Sequence, residues 1–136
     1  MSVKELIRVE ENGTLSFGDY ELPEKTKKSD FEYQGDLYKV KTYRDLTRLE
    51  KNGSLVYESE PGTAVTNFLA EEDGVSFDVD AQEDVQIILG MAEDEVYRVY
   101  VDDENTGVMK TSTGGKLVLS IEKGGLSRIP VKVVKL

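Results

Sequence analysis

Apolar and polar residues take turns along almost the whole of this chain, and that alternation limits what it can fold into. In GVSFDVD (74–80) the apolar side chains fall at Val75, Phe77 and Val79. Successive side chains of a strand point to opposite faces, so a period of two marks a sheet with one covered face. Helical periodicity is nearly absent, and Val, Ile, Tyr, Thr and Phe are frequent, as strands prefer. The pattern predicts strands near 6–10, 14–20, 37–43, 46–50, 54–59 and 64–69. Six more are predicted near 75–80, 85–89, 96–102, 107–111, 117–122 and 129–134.

Between them stand turn dipeptides: Asn12-Gly13, Gln34-Gly35, Asn52-Gly53, Pro61-Gly62, Asp73-Gly74, Gly114-Gly115 and Gly124-Gly125. Short strands at this spacing predict an all-β, antiparallel β-sandwich. EKTKKSD (24–30) is the one stretch without alternation and reads as a polar loop. Pro61-Gly62 is the candidate boundary. It would separate an N-terminal β-hairpin region (1–62) from an immunoglobulin- or fibronectin-like sandwich (63–136) with seven predicted strands. The alternative is one continuous β domain.

One pattern occurs twice. RVEENGTLSF (8–17) and RLEKNGSLVY (48–57) share Arg, an aliphatic, Glu, Asn-Gly, a hydroxyl residue and Leu, and end on an aromatic. A two-residue type I′ loop and a three-residue loop with a glycine bulge both suit Asn-Gly, but they pair the strands one residue apart. Only the second gathers the apolar side chains on one face, which is what fixes register. It pairs Val9 with Leu15 and Ile7 with Phe17 in the first copy. In the second it pairs Leu49 with Leu55 and Thr47 with Tyr57, leaving Val56 as the exception on the polar face. The repeated Arg and Glu read either as matched ligand sites or as cross-strand neighbours that keep a hairpin in register.

The chain has neither histidine nor cysteine, which removes thiolate and imidazole metal sites, His-based triads and disulfides. No phosphate-binding loop is present, since Gly114-Gly115-Lys116 lacks the other residues of one. Acids are too many, at 27, for their spacing to single out a catalytic pair. The expectation is therefore no enzyme. The net charge of −10 repels phosphate, so neither nucleic acid nor an anionic membrane is an expected partner. MSVKELIRVE carries no apolar signal region, and no apolar run is long enough for a membrane helix, so a cytoplasmic protein is expected.

The charge is unevenly spread. Residues 71–104 hold 13 acids against one base, Arg98, whereas 105–136 hold six bases and one acid. The acidic middle favours a basic protein partner or calcium, and the basic last third could meet the acidic face of a second copy, as a homodimer. If strands run alternately up and down, the loops after Asp80 and after Asp102 share one end of the sandwich. Asp80, Glu83, Asp84, Asp102, Asp103 and Glu104 then form the candidate calcium cluster, with the hard oxygen ligands that ion takes. Carbohydrate binding would need exposed aromatics. There is no Trp, and parity puts Tyr97 and Tyr100, like Tyr38 and Tyr43, on opposite faces of their strands.

Two resemblances complete the reading. VYRVYVDDENTGVMKTSTGGKLVLSIEKG (96–124) resembles the terminal strands of immunoglobulin-like accessory domains in bacterial polysaccharide-degrading enzymes, which implies a sandwich. ENGTLSFGDYELPEKTK, GDLYKVKTYRDLTRLEKNG and YESEPGTAVTNF are similar to stretches of small uncharacterised proteins of clostridial-type bacteria, some labelled endosialidase. A sialidase site would need clustered arginines and a tyrosine nucleophile, whereas Arg8, Arg44, Arg48, Arg98 and Arg128 are scattered in the sequence. The expected role is a non-catalytic protein-binding or assembly module, calcium-assisted in one version. The alternative is an accessory carbohydrate-binding or carbohydrate-active protein.

Overall fold

The structure, a computed structural model, describes residues 2–122 and 128–136. Lys123 and the Gly124-Gly125 turn lie outside the described residues. Thirteen strands are present among the described residues. In chain order they are β1 (Ile7–Val9), β2 (Leu15–Phe17), β3 (Thr26–Tyr33), β4 (Asp36–Tyr43), β5 (Leu46–Lys51), β6 (Ser54–Glu60) and β7 (Ala64–Glu71). They continue as β8 (Gly74–Asp80), β9 (Val85–Gly90), β10 (Val96–Val101), β11 (Glu104–Lys110), β12 (Lys116–Ile121) and β13 (Ile129–Lys135). They form a seven-stranded sheet, ordered β1-β2-β7-β8-β13-β10-β11, and a six-stranded sheet, ordered β12-β9-β6-β5-β4-β3. Every pairing is antiparallel, for example β8 with β13 and β6 with β9. Among the described residues, no helix is long and apolar enough to cross a membrane.

Strands from before and after Pro61-Gly62 share both sheets: β2 pairs with β7, and β6 with β9. One apolar cluster runs from Ile7 to Val133, so segments 1–62 and 63–136 contribute to a common core. Strands β7 to β13 divide five and two between the sheets, against four and three in the constant-type immunoglobulin arrangement. The last strand, β13, lies between β8 and β10.

The segment read as a polar loop, 24–30, instead leads into β3, which contains Thr26 to Asp30. As an edge strand, β3 covers little on its inner side. Its register also slips between Lys28 and Phe31, where Asp30 has a φ of 58°, so no clean alternation survives.

The two Asn-Gly hairpins close differently. In the first, Val9 pairs with Leu15 and Ile7 with Phe17, as the pattern predicts. Gly13 has a φ of 83° and donates its N–H to the Glu10 carbonyl. In the second, Lys51 pairs with Ser54 and Glu50 with Leu55, while Asn52 and Gly53 have φ of 50° and 85°. That is the two-residue type I′ loop. The register then slips, leaving Val56 as the extra residue of a bulge, and Leu49 pairs with Tyr57 and Thr47 with Ser59. The expected partners were wrong by two residues. The inward face survives at Thr47, Leu49 and Tyr57, which are fully buried, but the bulge reverses it toward the turn: Leu55, expected inside, stands opposite Glu50, and Val56, expected on the polar face, packs against the core.

At the centre of the core, four rings form a closed circuit. Phe17 meets Tyr57 at 5.3 Å and Phe68 at 5.6 Å, and Phe77 meets Tyr57 at 5.7 Å and Phe68 at 5.8 Å. Tyr57 belongs to the six-stranded sheet and the other three to the seven-stranded one, so the ring contacts clamp the layers together. Each such pair adds about 0.5–1.5 kcal/mol beyond its burial.

Beside the rings lies a buried hydroxyl network. The Thr63 Oγ1 bonds the Tyr57 hydroxyl at 2.8 Å and the Ser59 hydroxyl at 2.9 Å. Thr47 donates its hydroxyl to the Thr63 carbonyl at 2.9 Å and accepts the Thr63 N–H at 3.1 Å. Since that uses the one proton of Thr47, the Thr42 hydroxyl, 2.8 Å away, must be the donor in their bond, and it accepts the Asp19 N–H in turn. Gly18 follows from this packing. Its φ is 98°, and a Cβ there would run into the Thr63 carbonyl oxygen and the Thr47 methyl group. Thr47→Val keeps the shape but strands the Thr63 N–H, the Thr63 carbonyl and the Thr42 hydroxyl. Each buried orphan costs about 1–3 kcal/mol. A loss of about 3 kcal/mol in urea unfolding, with an unchanged m-value, is expected; a loss under about 1 kcal/mol would remove the network from its structural role.

Candidate binding groove on the seven-stranded sheet

The candidate calcium residues lie where register puts them. Val79 pairs with Ile129 and Val101 with Val131, so the chain leaves β8 and β10 at the same end of the sheet. Asp80 ends β8, Glu83 and Asp84 sit exposed in the connection to β9, Asp102 and Asp103 form the β10–β11 turn, and Glu104 opens β11. Yet among the described residues no three carboxylates converge to hold a metal ion. The reason is topological. β13 stands between β8 and β10, so about 10 Å of sheet separates their ends, while calcium draws its oxygens to within about 2.5 Å of itself. The connection through Glu83 and Asp84 also crosses to the other sheet.

What the outer face of this sheet does form is a run of three adjoining depressions. The first, about 450 Å³, is lined by Arg8, Glu10, Asn12, Asn67 and Arg128 among others. The second, about 230 Å³, shares Asn67 and adds Ser76, Asp78, Tyr100, Asp103 and Lys132. The third, about 410 Å³, shares Tyr100, Asp103 and Lys132 and adds Arg98, Val134 and Leu136. Register explains the sharing: Tyr100 pairs with Lys132 and Lys132 with Ser76, a row of outward side chains across β10, β13 and β8.

Asn67 sits at the junction for a local reason. The β7 register slips between Thr66 and Leu69, and Asn67, with a φ of 55°, is the residue turned by that bulge. Its amide donates to Asp78 at 2.9 Å and accepts from Asn12 at 3.4 Å, tying the first Asn-Gly turn to the groove. The period-two pattern holds no sign of this, because a bulge interrupts it. Arg98 was visible only as the single base of the acidic stretch. Its Nε is shielded from solvent and has no hydrogen-bond partner among the described residues.

The repeated Arg and Glu act in the same way in both hairpins. Arg8 Nε bonds Glu10 at 3.0 Å and Arg48 Nε bonds Glu50 at 2.9 Å, pairs two residues apart on one face. Only the first copy borders the groove. The other arginines do not gather: Arg8 and Arg128 line one depression and Arg98 another, Arg48 is on the other sheet, and Arg44 is in the β4–β5 turn. Of the tyrosines, Tyr57 and Tyr97 are buried, Tyr33 and Tyr38 meet edge to face at 65°, and Tyr100 alone lines the groove.

Two of the groove carboxylates, Glu10 and Asp78, are already engaged. Glu10 accepts the buried Ser16 hydroxyl and the Arg8 guanidinium, and these, in that order, outweigh partial burial and hold its carboxyl below the ordinary carboxylate value. A group whose folded value is depressed stabilises the fold above its unfolded value, and that contribution disappears as pH falls through the folded one. Glu10→Gln is therefore expected to cost about 1 kcal/mol at pH 7, discounted for its part exposure, with no difference from wild type in strong acid. Urea titrations at several pH values check this, and an equal cost at both ends of the range would reject it.

Calcium provides a second check. With no three-carboxylate site, millimolar Ca²⁺ and excess EDTA should give the same melting temperature. A rise with Ca²⁺ would mean that the acidic loops do gather around the ion.

Neither a family model, nor a curated protein, nor a solved structure matches the chain.

Proposed function

We propose that the chain is a non-catalytic protein-binding module that lays a polar segment of a partner along the groove of the seven-stranded sheet. The observation that carries this is the continuity of three depressions through shared residues, Asn67 on one side and Tyr100, Asp103 and Lys132 on the other. A continuous track with cations and anions in sequence suits an extended polypeptide better than a compact small molecule. Arg98, which lines the third depression, adds a guanidinium able to hydrogen-bond a partner's carbonyl or carboxylate. The engaged state of Glu10 and Asp78 supports binding over acid–base chemistry, since both carboxylates are spent on their neighbours.

The net charge and the acidic loops at both ends of the sheet favour a partner that is basic overall. The groove then sets register through Arg98, Tyr100 and Lys132. For the carbohydrate alternative, the missing element is a flat pair of exposed rings, because Tyr100 stands alone on this face.

Selection of random peptides displayed on phage against the immobilised protein tests the proposal. Enriched peptides should lose at least about tenfold in affinity to Tyr100→Ala and to Lys132→Glu, a loss typical of a contact at an interface centre. They should keep it to Ser120→Glu on the other sheet. No enrichment, or peptides indifferent to both groove substitutions, would remove the reading.

A further inference from the structure

Lys25, Lys27, Lys39 and Lys41 stand together on the outer face of the six-stranded sheet. Lys27 pairs with Lys41 and Lys41 with Arg48, one row across β3, β4 and β5. Lys39 lies two residues along β4 and therefore on the same face. The Lys25 ammonium sits 5.8 Å from the centre of the Tyr43 ring, which is two residues beyond Lys41. Arg48 is taken up by Glu50 and Glu58. Among the described residues, no carboxylate comes within ion-pair distance of the four lysines.

This is a costly arrangement, because like charges directly opposite on neighbouring strands repel. Glu50, opposite Lys39, offsets part of the repulsion, but the same carboxylate is bound by Arg48 and makes no ion pair with any of the four lysines. Partial burial, and then the charges of Lys27, Lys25 and Lys39, push the Lys41 ammonium below its ordinary value. Lysines on an edge strand discourage pairing with another chain, and that accounts for Lys27 and Lys28 on β3. It does not account for Lys39 and Lys41, because β4 is an interior strand. Beside them, where the β3 bulge opens the sheet, is a depression of about 480 Å³ lined by Leu37, Lys39, Glu50 and Asn52 among others. Leu37 is 49% exposed there.

We propose that this face docks an acidic segment of a partner protein, with its carboxylates among Lys25, Lys27, Lys39 and Lys41 and one apolar side chain against Leu37. Nucleic acid has the right charge but fits less well. The −10 net charge repels it at long range, and the one arginine in the row is already bound by two glutamates. The surface lies on the opposite side of the sandwich from the groove, so a molecule using both would bridge two partners.

Fluorescence anisotropy with three labelled probes tests this. They are a 12-residue peptide alternating Glu and Leu, the same peptide with Gln for Glu, and a single-stranded oligonucleotide of equal charge. The acidic peptide should bind saturably and weaken as salt is raised, and the Gln peptide should bind at least about tenfold more weakly. Lys27→Glu combined with Lys41→Glu should abolish binding of the acidic peptide and confer binding of a Lys–Leu peptide, which only a folded variant can do. The milder pair Lys39→Gln with Lys41→Gln should weaken the acidic peptide, and Lys110→Glu, on β11 of the other sheet, should leave it unchanged. Equal binding of the Gln peptide, tighter binding of the oligonucleotide, or indifference to both lysine pairs would overturn the proposal. So would self-association of the wild type that the lysine substitutions abolish, since the occupant would then be a second copy.

Discussion

The hydroxyl of Tyr57 is where the two kinds of cohesion in this sandwich meet. Its ring belongs to the four-membered aromatic circuit that joins the sheets, and its oxygen to the hydroxyl network around Thr63. Burial raises the phenol far above its ordinary value, so it remains a neutral partner for Thr63. A polar group at the centre of a core is tolerated only when fully satisfied. Here satisfaction requires that the Thr63 backbone, the side chains of Thr42, Thr47 and Ser59, and the Asp19 N–H all arrive together. Those groups come from β4, β5, β6 and two of the segments that pass between the sheets, β2–β3 and β6–β7. The network therefore fixes how the layers are stitched, which apolar packing alone would specify loosely.

Parity was the most legible property in the sequence, and it shows what a period of two can and cannot deliver. It found the strands with one covered face, and it put Thr47, Leu49 and Tyr57 inside although their partners were misread. A bulge such as that at Val56 shifts pairing by one residue, so the alternation read along the strand puts Leu55 and Val56 on the wrong faces. Parity also fails at an edge. In TKKSDFEY the inner side is only partly covered, so selection for apolar residues is weak, and the bulge at Ser29–Asp30 reverses what remains. The same Asn-Gly made two different turns, so the dipeptide alone does not choose the loop.

The groove was hidden for a related reason. Its parts were visible singly, as a lone Arg98 in an acidic stretch and as acids at loop tips, but their assembly depends on long-range pairing. The insertion of β13 between β8 and β10 brings Lys132 beside Tyr100. The same insertion keeps the Asp80 and Asp102 loops apart, which is why shared location at one end does not amount to a metal site. The bulge that places Asn67 is a second such event. Pairing decisions made between distant segments thus create one site and prevent another.

Charge follows the same logic, and here counting along the sequence misleads most. Among the described residues, the basic last third forms no basic face. Lys135 pairs with Glu95 at 3.7 Å, Lys132 and Arg128 line the groove, and Lys110 and Lys116 lie on separate sheets. The concentrated positive surface comes instead from residues 24–50, where seven bases and six acids nearly cancel. Strand alternation and turns sort them. Asp36 goes to Lys51 and Asn52, Asp45 to Arg44, and Glu50 to Arg48, while Lys27, Lys39 and Lys41 are left on one outer face. A near-neutral segment can therefore present a cluster of like charges when part of its acids, here Asp36, Asp45 and Glu50, are used within the fold. In a chain that is acidic overall, such a surface is screened from distant anions but available to an acidic segment held close, so recognition there is a matter of contact and not of long-range attraction.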